Sequence, residues 1–144
     1  MTDLDIYFAA SIRGGRSDAP LYADVVELLR GYGSVLSEHV GAENVESREE
    51  SAGLSDADIH DQDTAWLRTA DAVVAEVTTP SLGVGYELGR AVEWHTPVLA
   101  LYRPDGEHEL SAMVRGSTDI RVAEYRNRSE LPGILDGFLP RDTA

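Results

Sequence analysis

The sequence predicts an α/β protein built on one open, mostly parallel five-stranded sheet with helices on both faces. Three observations carry this. Short β-forming apolar runs alternate with segments of helical period. Gly, Pro and Ser clusters punctuate the joins, and neither a repeat nor a low-complexity linker divides the chain. Residues 1–144 therefore read as a single domain.

Leu4 to Ala10 is an apolar run with the β-formers Ile6, Tyr7 and Phe8, and it stops at Ser11. A helix follows from about Ala19 to Arg30, with Leu21, Val25, Leu28 and Leu29 on one stripe. Gly31 and Gly33 end it, and Ser34 to Glu38 reads as a second strand. The acidic Glu43 to Ser55 segment, with its Gly and Ser, reads as a solvated loop or frayed helix.

Asp56 to Thr69 is helical and Ala72 to Val77 is a buried third strand. Thr78 to Leu82 turns the chain into a helix over Gly83 to Trp94. Val98 to Tyr102 and Ile120 to Glu124 supply strands four and five, and Leu131 to Phe138 closes with a short helix. This is the doubly wound, Rossmann or flavodoxin-like pattern. Its ligands bind beyond the carboxyl ends of the strands, where the strand order reverses. The turns after Ala10 and Val77 should meet there.

Composition limits the chemistry. The chain has 144 residues, with 26 acidic against 12 basic side chains, for a formal charge of −14. Every basic residue is Arg, and Lys and Cys are both absent. Disulfides, thiolate nucleophiles and Schiff-base lysines are thereby excluded. The charge should repel nucleic acid and anionic membranes at long range. A small anion can still bind where Arg and backbone donors reverse the field locally. Acidic, Lys-free composition suits high salt, so a halophilic setting is expected; a GC-rich genome that favours Arg codons is the alternative. With no spanning apolar stretch and no N-terminal signal pattern, a cytoplasmic protein is expected.

Several residues depart from their local pattern. The turn Ser11-Ile12-Arg13-Gly14-Gly15-Arg16 offers successive N–H groups, a hydroxyl and two guanidinium groups, all suited to phosphate. It matches neither the dinucleotide fingerprint nor a Walker A loop, and an ordinary strand-to-helix turn would read the same way. Ser81 is a plausible N-cap, which would aim the next helix's amide donors at the same crevice. Gly83 and Gly85 cost that helix about 1 kcal/mol each against Ala. Either close ligand approach or tight packing of helix on sheet would account for them.

Glu87 falls on or beside the stripe made by Val84, Leu88, Ala91 and Val92. A buried carboxylate there must be paired, protonated or functional. Asp63 stands likewise beside Ile59, Trp66, Leu67 and Ala70, although for Asp63 alone solvent exposure in an acidic helix is the better explanation. Two carboxylates converging on one pocket would suit glycosidic bond cleavage, one attacking the sugar centre and the other handling protons. His39, His60, His95 and His108 lack metal-ligand spacing, and neither a metal nor a cofactor is called for.

Taken together, Tyr7-Phe8 with Ser11 to Arg16, Glu38-His39, Ile59-His60 with Gln62-Asp63, Trp66-Leu67, Ala75-Glu76-Val77, Pro80 through Ala91 and Ser111 through Gly116 resemble a known family. That family is the 2′-deoxynucleoside 5′-phosphate N-hydrolases, within the nucleoside deoxyribosyltransferase superfamily. The resemblance spans most of the chain in order. It implies hydrolysis of a nucleoside monophosphate to free base and sugar 5-phosphate. Glu87 matches the nucleophile that forms a covalent glycosyl intermediate, Asp63 the assisting carboxylate, and Tyr7 the tyrosine near the sugar. Ser11, Ile12, Arg13, Gly14, Gly15 and Arg16 match the loop around phosphate and base. Ser81 and Gly83 match further phosphate donors, and His39 a residue beside the base. Ser111, Ala112 and Met113 match a segment lent across a homodimer interface to the partner's site. Ala9-Ala10 stands where relatives commonly carry Cys-Gly or a similar small pair. A ribonucleotide (CMP-type) hydrolase, a deoxyribosyltransferase and a non-catalytic nucleotide-binding module are the alternatives.

Overall fold

A computed structural model describes residues 4–11, 18–37, 53–104 and 107–140. Its strands are β1 (Leu4–Ala9), β2 (Gly33–Val35), β3 (Ala72–Glu76), β4 (Val98–Tyr102) and β5 (Ile120–Glu124). Its helices are α1 (Ala19–Leu29), α2 (Asp56–Thr69), α3 (Leu82–Glu93), α4 (Ala112–Arg115) and α5 (Leu131–Phe138), with a 3₁₀ turn over Arg128–Glu130. The strands form one sheet in the order β2-β1-β3-β4-β5, and every pairing is parallel. Strand order reverses between β1 and β3, so the crevice opens above those two strands. The expected fold class holds, with "mostly parallel" sharpened to parallel throughout the described strands.

Side-chain alternation divides the interior into two layers. Ile6, Phe8, Val74, Leu99 and Leu101 point to one face, where α1 supplies Leu21, Tyr22 and Val25 and α5 supplies Leu131 and Leu135. Tyr7, Ala9, Val73, Ala75, Val98 and Ala100 point to the other, under Leu67 of α2 and Val84, Leu88 and Ala91 of α3. On this second face Ala9, Ala75 and Ala100 stand in register across three strands. A row of methyl groups keeps that part of the sheet low, which leaves room for a helix carrying polar side chains to lie close above it.

The expected second strand over 34–38 is shorter than its pattern implied. Ladder pairing stops at Val35 opposite Ile6. Beyond it Leu36 donates its N–H to Ile6 O at 2.9 Å, and then a side chain takes over. The Ser37 hydroxyl accepts from Phe8 N at 2.9 Å and donates to Phe8 O at 2.7 Å. The pairing of β1 is satisfied with no further strand, which is why the apolar-to-polar run overstated the length. Two short elements, α4 and the 3₁₀ turn, were not anticipated, because three or four residues are too few to show a period.

The helix starts follow capping chemistry. Ser55 and Asp58 form a reciprocal capping box on α2, with Asp58 N donating to Ser55 Oγ at 3.1 Å and Ser55 N to Asp58 Oδ2 at 3.0 Å. Gly33, by contrast, is required by space. A Cβ there would lie 2.2 Å from Leu4 O and 2.8 Å from Leu4 Cβ. Gly33→Ala should therefore force β2 away from β1 and cost about 1–3 kcal/mol, read as a lowered denaturation midpoint in urea. Among the described residues no helix is long and apolar enough to cross a membrane.

Candidate active site

The β1/β3 crevice brings together two elements that the sequence placed there. Tyr7 sits fully buried on β1, and Ser81 caps α3 by accepting the Val84 N–H at 3.3 Å. The cap makes Leu82 the first helical residue, one earlier than the composition suggested, since a flanking Ser at N-cap outweighs the poor propensity of Gly83. One turn into α3, Glu87 turns inward and accepts a short hydrogen bond from the Tyr7 hydroxyl. These two side chains are 80 residues apart in the chain.

The electrostatics follow from that burial. Loss of solvent raises the Glu87 carboxyl to about 7. The Tyr7 hydrogen bond opposes the rise and the Asp63 charge adds to it. The Tyr7 hydroxyl is pushed far up, first by burial, then by the charges of Glu87 and Asp63. Tyr7 therefore stays a donor at every accessible pH. Asp63, half-buried on α2, completes the group: both partners feel its charge. Arg90, three residues on, does not pair with Glu87. Instead the Arg90 guanidinium donates to the Tyr86 hydroxyl and lies over the Tyr86 and Trp94 rings, 5.5 and 4.8 Å from their centroids.

Above the carboxylates, α2 and α3 are joined on their solvent side. His60 Nε2 meets the Tyr86 hydroxyl at 2.8 Å, and the Arg68 guanidinium lies 5.0 Å from the Trp94 ring centroid. These contacts hold together the helices that carry Asp63 and Glu87. Trp66 and Trp94 are partly buried and pack against the second core layer.

Other expected positions separate more widely. Ser11 is fully buried directly after β1. Ile12, Arg13, Gly14, Gly15, Arg16 and His39 lie outside the described residues. Gly83 and Gly85 are exposed; an added Cβ on Gly83 would meet Ser81 Oγ at 3.8 Å, and one on Gly85 would meet nothing within 4 Å. Tight packing against the sheet therefore does not explain either glycine. Ser111, Ala112 and Met113 lie together at the start of α4, where Ser111 Oγ accepts the Met113 N–H at 3.2 Å. Ser111 and Met113 border a groove of about 810 Å³ running along α3, lined also by Leu82, Gly85, Tyr86, Gly89 and Leu110 among others.

One buried carboxylate was missed by sequence reasoning. Glu76, the last residue of β3, is completely buried. It accepts from Thr78 N at 2.7 Å and makes a short hydrogen bond with the Tyr125 hydroxyl. A Glu inside the apolar run Ala72 to Val77 was the available signal.

Comparison with known proteins bears on what this arrangement does. Residues 6–129 match the family model described as nucleoside 2-deoxyribosyltransferase. The 5-hydroxymethyl-dUMP N-hydrolase of Mus musculus is 50% identical over 145 residues, covering 96% of this chain and 84% of the mouse protein. The human protein of that name is 49% identical over 140 residues, covering 95% and 80% respectively. Among solved structures, the CMP N-glycosidase of Clostridium botulinum superposes with a TM-score of 0.64 at 16% identity, covering 94% of this chain and 99% of its own. At that identity the likeness concerns the fold alone.

Proposed function

Because the chain belongs to the nucleoside 2-deoxyribosyltransferase family, we propose that it hydrolyses the N-glycosidic bond of 2′-deoxynucleoside 5′-monophosphates. The products are free base and 2-deoxyribose 5-phosphate. The observation that carries this reading is the inward, half-buried Glu87 carboxylate, held by the Tyr7 hydroxyl with Asp63 close enough to raise its pKa. A pure binding site for an anion gains nothing from two inward carboxylates, which disfavours a non-catalytic module.

In the reaction, Tyr7 holds Glu87 Oε2 and leaves Oε1 to attack the anomeric carbon. The carbon–nitrogen bond breaks, and the electron pair leaves with the base as its anion. Water then attacks the glycosyl ester, and ionised Asp63 takes its proton and passes it to the base, which restores both carboxylates. Ser81 and the first free amides of α3, Gly83 among them, suit the 5′-phosphate at a helix N-terminus. Ser11, Ile12, Arg13, Gly14, Gly15 and Arg16 would enclose phosphate and base, with His39 beside the base.

The relatives named 5-hydroxymethyl-dUMP N-hydrolase at about half identity make a modified deoxyuridylate the first substrate to try. A panel of deoxy- and ribonucleoside monophosphates including it, with base release followed by chromatography, tests the reading. Release from a deoxynucleotide is expected; no release from any member would overturn it. A second free base in the assay would reveal sugar transfer.

The groove along α3 supports a homodimer. Leu82 is 96% exposed, Met113 84% and Tyr86 46%, an apolar face poorly suited to water. Gly85 and Gly89 leave their part of the helix surface low enough for another backbone to approach. A second copy seated there would bring Ser111, Ala112 and Met113 to its partner's α3, in line with a segment completing the partner's site. Leu82→Glu should then sediment as a monomer and lose about tenfold or more in kcat. An unchanged assembly would remove the dimer from this account.

A further inference from the structure

We propose that Glu76, Thr78, Tyr125 and Arg103 form a buried brace that positions the Thr78–Ser81 turn for the substrate phosphate. The inference rests on the functional reading above and assigns these four residues a positioning role, with no contact to the reacting atoms.

The starting point is a carboxylate that the reaction does not use. Glu76 is completely buried, on the opposite sheet face from Glu87, among Tyr125 and the apolar side chains under α1 and α5. Burial pushes its carboxyl up, while Tyr125, Thr78 and the Arg103 charge oppose the rise. An apolar side chain of similar volume would avoid that cost, so stability alone does not recommend a carboxylate here.

Its hydrogen bonds show what it does. Val77 N makes the last ladder bond of β3, to Leu101 O at 2.9 Å. Thr78 N is the next donor, already beyond the strand, and Glu76 Oε1 takes it at 2.7 Å. The carboxylate thus substitutes for a strand partner at the residue where the chain turns toward Ser81. Thr78, itself buried, then uses its Oγ1 to accept Arg103 N at 2.9 Å, which fixes the chain leaving β4. The Tyr125 hydroxyl reaches the other oxygen of Glu76 from just beyond β5. Finally the Arg103 guanidinium meets Asp18 Oδ2 at 2.9 Å, at the residue that opens α1. The ends of β3, β4 and β5 and the start of α1 are therefore tied together beside the crevice, through one carboxylate and one arginine. Ser81, the cap of the helix that carries Glu87, lies only three positions after Thr78.

A brace of this kind predicts a split between binding and turnover. Wild type, Glu76→Ala, Tyr125→Phe and Glu76→Gln are compared for kcat and KM on a nucleoside monophosphate that wild type cleaves. Binding of inorganic phosphate is measured alongside by titration calorimetry. Glu76→Ala should weaken phosphate binding and raise KM by about tenfold, with kcat changed by less than about threefold. Tyr125→Phe keeps the ring and loses only the hydroxyl, so it should move both quantities the same way by about threefold. Glu76→Gln keeps an acceptor for Thr78 N and should bring KM most of the way back. Folded variants with wild-type KM and phosphate affinity would overturn the brace, as would equal losses in kcat without a change in KM. If Glu76→Ala fails to fold, Tyr125→Phe carries the same test. Calorimetry needs no turnover. A wild type that binds phosphate but cleaves no nucleotide would therefore sink the functional reading, while the variants would still decide the brace.

Discussion

Glu87→Gln should abolish base release and at the same time make the folded protein more stable above neutral pH. The loss in kcat is expected at about 10³-fold or more, since an amide cannot form the glycosyl ester. The gain in stability follows from the buried carboxyl, which is raised from an ordinary 4.5 to about 7 in the folded chain. Between those values the unfolded chain releases its proton and the folded chain does not, so the folded state loses ground as pH rises. Above pH 7 the full cost is present, about 3 kcal/mol at most for a shift of this size. Glutamine never ionises and keeps an acceptor for the Tyr7 hydroxyl, so it escapes the cost. Urea midpoints at pH 8 should rise in the variant and converge with wild type near pH 4. A variant as unstable as, or less stable than, wild type at pH 8 would mean that the carboxylate is not held against its own solvation. Retained base release would remove Glu87 as the nucleophile. The two readouts pointing in opposite directions distinguish a functional carboxylate from a structural one.

Glu87 was legible in the sequence because a carboxylate interrupting an apolar helical stripe is a local contradiction, and one helix turn suffices to display it. The alternating strands were legible for a similar reason: their apolar runs and glycine-rich joins are local. Tyr7 was not legible from its residues alone. A tyrosine in a buried strand looks like any core aromatic, and its role depends on a hydroxyl meeting a residue 80 positions away. The resemblance to a family, and not any pattern of spacing, singled it out. Glu76 illustrates the converse case. Its position in an apolar strand was anomalous on the page, but its partner Tyr125 lies 49 residues on, and the sequence offers no way to choose among distant hydroxyls. Gly83 and Gly85 were read as either packing or approach, and only the open space beside them decides against packing. Charge excess proved uninformative about the site. It describes the solvated surface, whereas the site depends on three groups withdrawn from it.

Those three groups should also reveal themselves in the pH dependence of kcat/KM. Attack requires ionised Glu87, so the acid limb should fall near pH 7 in the free enzyme. At pH 5.5 that places wild type about thirtyfold below its plateau, a depression that an ordinary carboxylate would not produce. The variants of its neighbours should displace the limb in opposite directions. Asp63→Asn removes a negative charge that raises Glu87, so the limb should move to lower pH. Its plateau should still fall by about 10²-fold, because the group that passes the proton of water to the base is lost. Tyr7→Phe removes the hydrogen bond that favours the ionised form, so the limb should move to higher pH. Tyr7 cannot itself contribute a limb in the accessible range, since burial and the two carboxylates push its hydroxyl far above it. Displacement in opposite senses is hard to obtain from general loosening of the site, which would draw both limbs toward the solvent value. If both variants shifted the limb downward together, burial alone would be setting Glu87. If neither moved it, Asp63 and Tyr7 would not be coupled to the nucleophile, and the three-residue account of the chemistry would fail with the fold intact.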